Sequence, residues 1–375
     1  MSTAATAHGR PTWRVAQWTT GIVGSSALRA IVEHPRLELV GCYAHSASKV
    51  GQDSGLLCGM VPTGVMATDR LDDIVGLSPD CVVYMPQWPD VAEIEQLLNA
   101  GINVVTSARL VNGRHYGGGA GERLAAAAAA GQASLYGSGC NPMFVPTVAL
   151  AATAMCRRVD QLTITESMDC GLYASAGNWQ AYGFGSAPEP DRLRDELWRL
   201  EPDYVEALEI MAEGIDFVPD DYSLSVDCAV ANEDRDLGFM SIAAGTVAAL
   251  SAVWSAMLNG QPVVTMRTTW KLGSYLGYTE SPDWPLLYGY LIEVRGEPNL
   301  RLKMNFTFDD LEHIDIGVTT AMPIVNAIES VCAAPPGVLS PLDLPLIVGR
   351  HHETANAGLS PTNARGEPPS PRASP

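Results

Sequence analysis

Strand-like and helix-like segments alternate through the first third of the chain, and this alternation limits the possible folds more than any other feature. The apolar run WRVAQW (Trp13–Trp18) precedes SSALRAIVEHP, whose apolar residues recur at helical spacing until Pro35. The order repeats with LELVGCYA, PDCVVYMP, INVVTS and ASLYGSG as strands and with DRLDDIVGL, DVAEIEQLLNAG and GERLAAAAAAGQ as helices. Right-handed crossovers between such strands predict an α/β domain with a doubly wound parallel sheet of the Rossmann type.

A glycine turn joins the first strand to the first helix. Thr19, Gly21 and Gly24 hold the three positions of a dinucleotide fingerprint, so the two glycines that admit a diphosphate and allow close packing are retained. Backbone amides at the start of the helix would face the anion. The predicted phosphate-binding residues are Thr20, Gly21, Ile22, Val23 and Gly24. The alternative is a tight turn that binds no ligand, because a short glycine pattern is a weak signal alone.

The end of the second strand indicates which dinucleotide binds. An acid about 20 residues beyond the glycines would bind the ribose hydroxyls of NAD. This chain carries AHSASK, with His45, Ser46, Ser48 and Lys49 and no carboxylate. Hydroxyls beside a cation favour the 2′-phosphate of NADP over NAD, although Lys49 is equally compatible with an ordinary solvated lysine.

Ligands of open α/β sheets bind beyond the carboxyl ends of the strands. Asn141 is the predicted contact of the nicotinamide carboxamide, because an amide can donate and accept; the alternative is a turn-forming Asn before proline. The residues expected to line the nicotinamide are Met85, Pro86, Gln87, Thr106, Ser107, Gly139, Cys140, Asn141 and Pro142.

After Pro142 the pattern changes to that of an α+β domain for substrate binding and dimerisation. It predicts helices over 146–156, 191–214 and 317–332, and strands over 161–169, 262–272, 289–296 and 300–308 that alternate as antiparallel strands do. The predicted division is a flexible N-terminus (1–12), a Rossmann domain (13–145), the second domain (146–316), a segment returning to the first domain (317–350) and a disordered Pro/Ser-rich tail (351–375).

Composition excludes several functional classes. The net charge of −19 opposes binding to nucleic acid or anionic membranes. No secretory signal is visible, and eight scattered cysteines indicate reduced thiols, so a cytoplasmic protein is predicted. The seven histidines form no spaced ligand set, so no metal site is expected. The Ala/Ser-rich segment Met240–Leu258 is interpreted as a buried or interface helix rather than a membrane span.

Several segments together carry a family resemblance: VAQWTTGIVGSSALRAI, LELVGCYAHSASKVGQDSGLLCG, GINVVT, GSGCNP and ITESMDCGLYAS. They resemble the dihydrodipicolinate-reductase-like oxidoreductases, most closely the branch of 2,4-diaminopentanoate dehydrogenase and native amine dehydrogenases. The resemblance implies a Rossmann domain, a C-terminal α+β domain, usually a homodimer, and an interdomain cleft. It implies NAD(P)-dependent reductive amination of a carbonyl or the reverse deamination, with Gly21–Gly24 at the phosphates, Asn141 in the NP element and Tyr173 lining the amine pocket.

The chain departs from the family pattern at three places. Thr19 replaces a glycine, and Met143 and Phe144 follow the NP element where relatives have Gly and Phe. Amine-active relatives are expected to carry a glutamate just after the NVVT strand, where it would hold ammonia or the iminium. This chain has Arg109 there and no nearby carboxylate.

Either another acid takes over or the substrate differs, because amine chemistry requires a group that holds a cation and relays a proton. Glu166 and Asp169 lie three apart on one strand, so they should face opposite ways and only one should face the cleft. Asp169 is the preferred catalytic candidate together with Tyr173, and a loop-capping acid is the alternative for Asp169. Glu122 is interpreted as a first-turn helix acid and His115 as a solvated histidine.

An aromatic, glycine-rich loop completes the predicted site. Such a composition suits an adaptable apolar pocket, although core packing would explain it equally well. The predicted substrate-pocket residues are Arg109, Met143, Phe144, Tyr173, Trp179 and Phe184. The sequence thus predicts an NAD(P)H-dependent oxidoreductase of a small carbonyl/amine pair. The alternatives are an ammonia-independent reductase of imines, enamines or ketones, and a cofactor-binding sensor without catalysis.

Overall fold

The computed structural model describes residues 12–272, 289–307 and 315–351. The predicted flexible N-terminus and Pro/Ser-rich tail therefore lie outside the described residues, apart from positions 12 and 351.

A parallel sheet with flanking helices forms the first half, which confirms the predicted Rossmann architecture. Its strands run in the order β6-β5-β4-β1-β2-β3, and all of their pairings are parallel. The strand order reverses between β1 and β4, and ligand crevices of such sheets form at that position. The elements are β1 (Trp13–Trp18), α1 (Ile22–Glu33), β2 (Leu37–Tyr43), α2 (Ser54–Leu57), β3 (Ala67–Thr68), α3 (Leu71–Gly76), β4 (Cys81–Tyr84), α4 (Val91–Asn99), β5 (Asn103–Thr106), α5 (Ala120–Gly131) and β6 (Ser134–Gly137).

The second half contains a six-stranded mixed sheet with helices. This agrees with the predicted α+β architecture. Its elements are α6 (Val145–Thr153), β7 (Arg158–Asp169), α7 (Ala176–Ala181), α8 (Pro190–Leu200), α9 (Pro202–Gly214), β8 (Asp221–Val230), β9 (Arg235–Asp236), β10 (Ser241–Ile242), β11 (Val247–Leu258), β12 (Gln261–Lys271), β13 (Gly289–Glu297) and β14 (Leu300–Met304). The strand order is β14-β13-β7-β12-β11-β8. β12 pairs antiparallel with β11 but parallel with β7, so the sheet is mixed rather than purely antiparallel.

The interpretation of Met240–Leu258 as a helix is wrong. Most of this segment is β11, which lies between β8 and β12 in the second sheet. Its residues from Val247 to Ala256 are buried or half-buried, so both faces of the strand are covered. A strand buried on both faces shows no polar alternation, which made its period resemble that of a helix. Among the described residues, no helix is long and apolar enough to cross a membrane.

The predicted helix over 191–214 is two helices. α8 ends at Leu200 and α9 begins at Pro202, because proline lacks the backbone N–H needed inside a helix but is well accommodated at a helix start. The break brings Glu201 to the junction, and α9 is buried along most of its length.

The predicted helix over 317–332 is likewise two helices, α10 (Val318–Val325) and α11 (Ile328–Ala333). Both pack on the first sheet, where Ile324 and Ile328 share a buried cluster with Val15 and Ile31. The following strand, β15 (Gly337–Leu339), pairs in parallel with β6 and extends that sheet to seven strands within the described residues.

Candidate active site

Thr19 adopts the left-handed backbone conformation that a fingerprint glycine would provide, with φ of 72°. Such a conformation costs a β-branched residue on the order of 1–3 kcal/mol unless its surroundings enforce it. Here the Thr19 amide donates to the Tyr43 carbonyl at 2.9 Å, and its hydroxyl donates to the Met85 carbonyl at 2.8 Å. The turn is therefore held by hydrogen bonds to the two neighbouring strand ends.

The two retained glycines serve different purposes. A Cβ on Gly24 would lie 2.4 Å from the Thr19 carbonyl oxygen, so only glycine lets the turn and α1 pack this closely. A Cβ on Gly21 would meet nothing within 4 Å, although Gly21 has an ordinary φ of −75°. The space beside Gly21, at the amino end of α1, thus fits a diphosphate that would accept from the first backbone amides of the helix.

The residues after β2 lie next to this turn. The Lys49 ammonium donates to the Thr20 carbonyl at 2.8 Å and to the Thr20 hydroxyl at 3.0 Å. The exposed hydroxyls of Ser46 and Ser48 are 2.8 Å apart, and the His45 ring packs edge-on against Tyr43. Lys49 consequently supports the phosphate turn itself in addition to any contact with a ribose phosphate.

A cavity of about 940 Å³ extends from the glycine turn, past the carboxyl ends of the first sheet, to the second sheet. Most of the residues predicted from sequence meet in it. Those lining it are Gly21, Ile22, Val23, Gly24, Met85, Pro86, Gln87, Ser107, Arg109, Gly139, Cys140, Asn141, Pro142, Asp169, Tyr173 and Trp179.

Other predicted residues lie outside the cavity lining. Thr106 is fully buried and its hydroxyl accepts the Ala108 amide, while Met143 and Phe184 are packed into the core of the second half. The remaining residues outside the lining are Thr20, His45, Ser46, Lys49 and Phe144. The bulk of Met143 therefore fills the core and does not narrow the pocket.

Glu166 is a buried acid of the cavity lining, with 5% of its surface exposed. Its carboxylate accepts the Trp270 indole N–H at 2.9 Å and the Asn141 side-chain amide at 2.5 Å, and Tyr290 also hydrogen-bonds to it. Burial raises the pKa of the Glu166 carboxyl, against the opposing effect of these hydrogen bonds. A buried carboxyl with a raised pKa is suited to hold a cation and to exchange a proton with it.

The amide of Asn141 is oriented by two partners. Its nitrogen donates to Glu166 and, at 3.2 Å, to the Tyr204 hydroxyl. Its oxygen is buried and has no partner among the described residues. Asn141 therefore presents an acceptor, which suits an N–H group of a bound molecule.

Arg109 lies in the segment just after β5, where the resemblance led us to expect a glutamate, and the structure pairs it with an acid from another element. Its guanidinium donates to Glu201 at 2.6 Å and to Asn178 at 2.9 Å, and lies 4.7 Å from the ring centres of both Trp88 and Tyr182. Burial raises the pKa of Glu201 to about 7, with Arg109 opposing the shift. The Tyr182 hydroxyl also donates to Glu201.

Both Glu166 and Asp169 line the cavity, so the expectation that only one faces the cleft is wrong. Asp169 is the last residue of β7, where strict alternation stops as the chain turns into a loop. Its carboxylate accepts the Gly171 amide at 2.9 Å, which is a loop-capping contact.

Sequence reasoning missed Glu201 and Asp203, two further buried acids of the lining. Burial raises the pKa of Asp203 well above its ordinary value, with Glu201 adding to the shift. Pro202, which interrupts the helix predicted over 191–214, was the sequence signal that could have drawn attention to these two acids. Glu122 and His115, for which no catalytic role was predicted, lie outside the cavity lining. Glu122 is in the first turn of α5, and the His115 ring is 2.8 Å from Glu209 near the surface.

Comparisons with known proteins agree with this architecture. Residues 144–357 match the family described as the 2,4-diaminopentanoate dehydrogenase C-terminal domain. An amine dehydrogenase of Streptomyces virginiae is 26% identical over 350 residues, which cover 88% of this chain and 95% of that protein.

Two solved structures share the fold. The amine dehydrogenase of Mycobacterium smegmatis superposes with a TM-score of 0.74 at 21% identity, covering 92% of this chain and 99% of that one. GenD2 from gentamicin A biosynthesis, solved in complex with NAD, gives a TM-score of 0.50 at 18% identity, covering 92% and 93%. Because the family match covers more than half of this chain, the chain belongs to the 2,4-diaminopentanoate dehydrogenase family, a family of NAD(P)-dependent oxidoreductases.

Proposed function

We propose that this protein interconverts a carbonyl compound and the corresponding amine, through the imine, with a nicotinamide cofactor. The observation that carries the proposal is the buried Glu166 carboxyl, which lies in the same cavity as the open phosphate cradle at Gly21. One end of the cavity thus suits a dinucleotide and the other suits a cationic nitrogen. The amine dehydrogenases of Streptomyces virginiae and Mycobacterium smegmatis support this chemistry by similarity.

The cofactor, when bound, supplies or accepts the hydride. The protein's own residues bind and orient the reactants. The amides at the start of α1 would hold the diphosphate beside Gly21, and the acceptor oxygen of Asn141 would receive the N–H of the nicotinamide carboxamide.

Glu166 is the proposed acid–base residue and replaces the glutamate that the family pattern has after β5. Its carboxylate would hold ammonia as ammonium and then stabilise the cationic imine carbon–nitrogen group. It would also take up the proton that nitrogen releases, because burial raises its pKa and so makes the carboxylate a stronger base than an exposed one. Asp169 and Tyr173 remain secondary candidates on the same wall of the cavity.

The substrate end of the cavity is mainly aromatic. Trp179 packs edge-on against Tyr173 and Trp270, and Tyr182 packs against Trp270. This lining favours a small to medium, partly apolar substrate. The homodimer implied by the resemblance is likewise a proposal, which sedimentation of the purified protein would test.

The expected result of a cofactor-oxidation assay is turnover of aldehydes or ketones that depends on ammonium. A panel of carbonyl compounds should be assayed with NADPH and with NADH, with and without ammonium chloride and with a matched sodium chloride control. Equal rates without ammonium would contradict reductive amination and favour an imine or ketone reductase. Cofactor binding with no turnover of any compound would favour a sensor.

We propose NADP as the preferred cofactor, because Lys49 and the hydroxyls of Ser46 and Ser48 follow β2 where an NAD site would have an acid. Lys49→Glu should weaken NADPH binding about 10-fold more than NADH binding, since it places a carboxylate near the ribose phosphate. Isothermal calorimetry with both cofactors measures the two affinities.

Lys49→Met is the matched control, because it removes the bonds to Thr20 without adding a negative charge. A role limited to supporting the turn would weaken both cofactors equally in both variants, whereas a role in phosphate recognition makes Lys49→Met weaken NADPH more than NADH. Equal losses for NADPH and NADH in Lys49→Glu would therefore refute the role in phosphate recognition.

A further inference from the structure

Arg109 is held rigidly in the substrate end of the cavity. Its guanidinium carbon lies 4.7 Å from the ring centres of Trp88 and Tyr182, and two of its nitrogens donate to Glu201 and Asn178. Its backbone has a positive φ of 45°, a conformation that a non-glycine residue adopts only when its surroundings enforce it. The position of this cation is therefore a built feature of the cavity.

A guanidinium in an aromatic-lined cavity is ordinarily a receptor for a carboxylate, which it binds through parallel N–H donors. In this protein the Glu201 carboxylate already takes that place. Glu201 is 3% exposed and is fixed on its other side by the Tyr182 hydroxyl. The charge of Arg109 is thus compensated from within the protein.

The rest of the lining gives no further compensation for an anion. Among the described residues that line the cavity, one carries a guanidinium, Arg109, and four carry carboxyl groups. The four acids are Glu166, Asp169, Glu201 and Asp203. A substrate carboxylate entering here would lose its hydration beside buried acids, and Arg109, the one cation of the described lining, is already paired with Glu201.

We propose that the Arg109–Glu201 pair determines substrate specificity by masking the site at which a carboxylate would bind. The substrate is then a ketone or aldehyde without a carboxylate next to the carbonyl, and a simple oxo acid is rejected. This inference rests on the proposed carbonyl–amine function, which it narrows to a substrate class.

Glu201→Gln tests the mask directly. Glutamine keeps an oxygen that accepts from Arg109 and Tyr182 but removes the negative charge. Two substrate pairs that differ only by a carboxylate in place of a methyl group should be compared: pyruvate with acetone, and phenylpyruvate with phenylacetone. At about pH 8.5 the carboxylate form of Glu201 dominates, because its pKa is about 7.

The wild-type protein should prefer the ketone of each pair. In Glu201→Gln the ratio of kcat/KM for oxo acid over ketone should rise by about 10- to 100-fold, the gain that a charge-assisted hydrogen bond provides. A wild-type preference for the oxo acids, or an unchanged ratio in Glu201→Gln, would overturn the proposal.

The double variant Arg109→Met/Glu201→Gln is the matched control. It removes both charges together and leaves no unpaired buried ion, so it avoids the main cause of misfolding in a single variant. The gain for oxo acids should disappear in it. A gain that persists without Arg109 would show that another group binds the carboxylate, which also contradicts the proposal.

A cofactor-free measurement separates this inference from the proposed function. Calorimetric titration with phenylacetate should show no saturation in the wild type, clear binding in Glu201→Gln, and none in the double variant. If no carbonyl compound is turned over, the proposed function fails, yet this titration still decides whether Glu201 masks Arg109.

Discussion

Gly21→Asp should weaken NADPH and NADH binding by at least about 100-fold, because like charges brought together cost several kcal/mol. The new side chain would extend into the open space beside the start of α1, where no atom lies within 4 Å of the Cβ position. Its carboxylate would then occupy the proposed diphosphate site and repel the cofactor. Calorimetry with each cofactor measures the loss.

The fold should survive this substitution, because Gly21 has an ordinary backbone conformation and free space around it. An unchanged melting temperature would show that. Gly21→Ala is the matched control: it adds a Cβ without charge and should weaken binding far less. Full cofactor affinity in Gly21→Asp would remove the phosphate cradle from the proposal.

Glu166→Gln should lower kcat for reductive amination by about 100- to 10,000-fold, the range typical of an essential acid–base residue. Glutamine preserves the shape and can still accept from Trp270, but it cannot hold a charge or exchange a proton. Cofactor affinity should fall far less than kcat, since Glu166 acts on the cofactor only through the Asn141 amide that it orients. Steady-state kinetics and calorimetry separate the two effects.

Glu293→Gln is a suitable control, because Glu293 lies on the neighbouring strand β13 and contacts Arg301 outside the cavity lining. It should leave kcat unchanged. A pH profile adds a second readout: the limb of kcat governed by Glu166 should vanish in Glu166→Gln. Retained kcat in that variant would transfer the acid–base role to Asp169 or Asp203.

The first sheet and the phosphate turn could be predicted from the amino-acid sequence alone. The spacing of apolar residues and the glycines and prolines that end an element are local properties of the chain. The fingerprint of Thr19, Gly21 and Gly24 likewise lies within six residues. The carboxyl ends of parallel strands meet at one edge, so Gln87, Ser107 and Asn141 could be grouped correctly without coordinates. Local patterns were less informative for β11, because a strand buried on both faces has no alternation.

Which acids enter the cavity depends on contacts between distant parts of the chain. Glu166 comes from β7, Glu201 from the break before α9, and Arg109 from the loop after β5, so their meeting depends on how the two sheets pack. Side-chain burial and charge pairing arise from contacts between residues far apart in the chain, 92 positions for Arg109 and Glu201 and 104 positions for Glu166 and Trp270. The spacing of residues along the chain does not encode such contacts. The sequence therefore showed that the expected glutamate after β5 is missing, but not which acid takes its place.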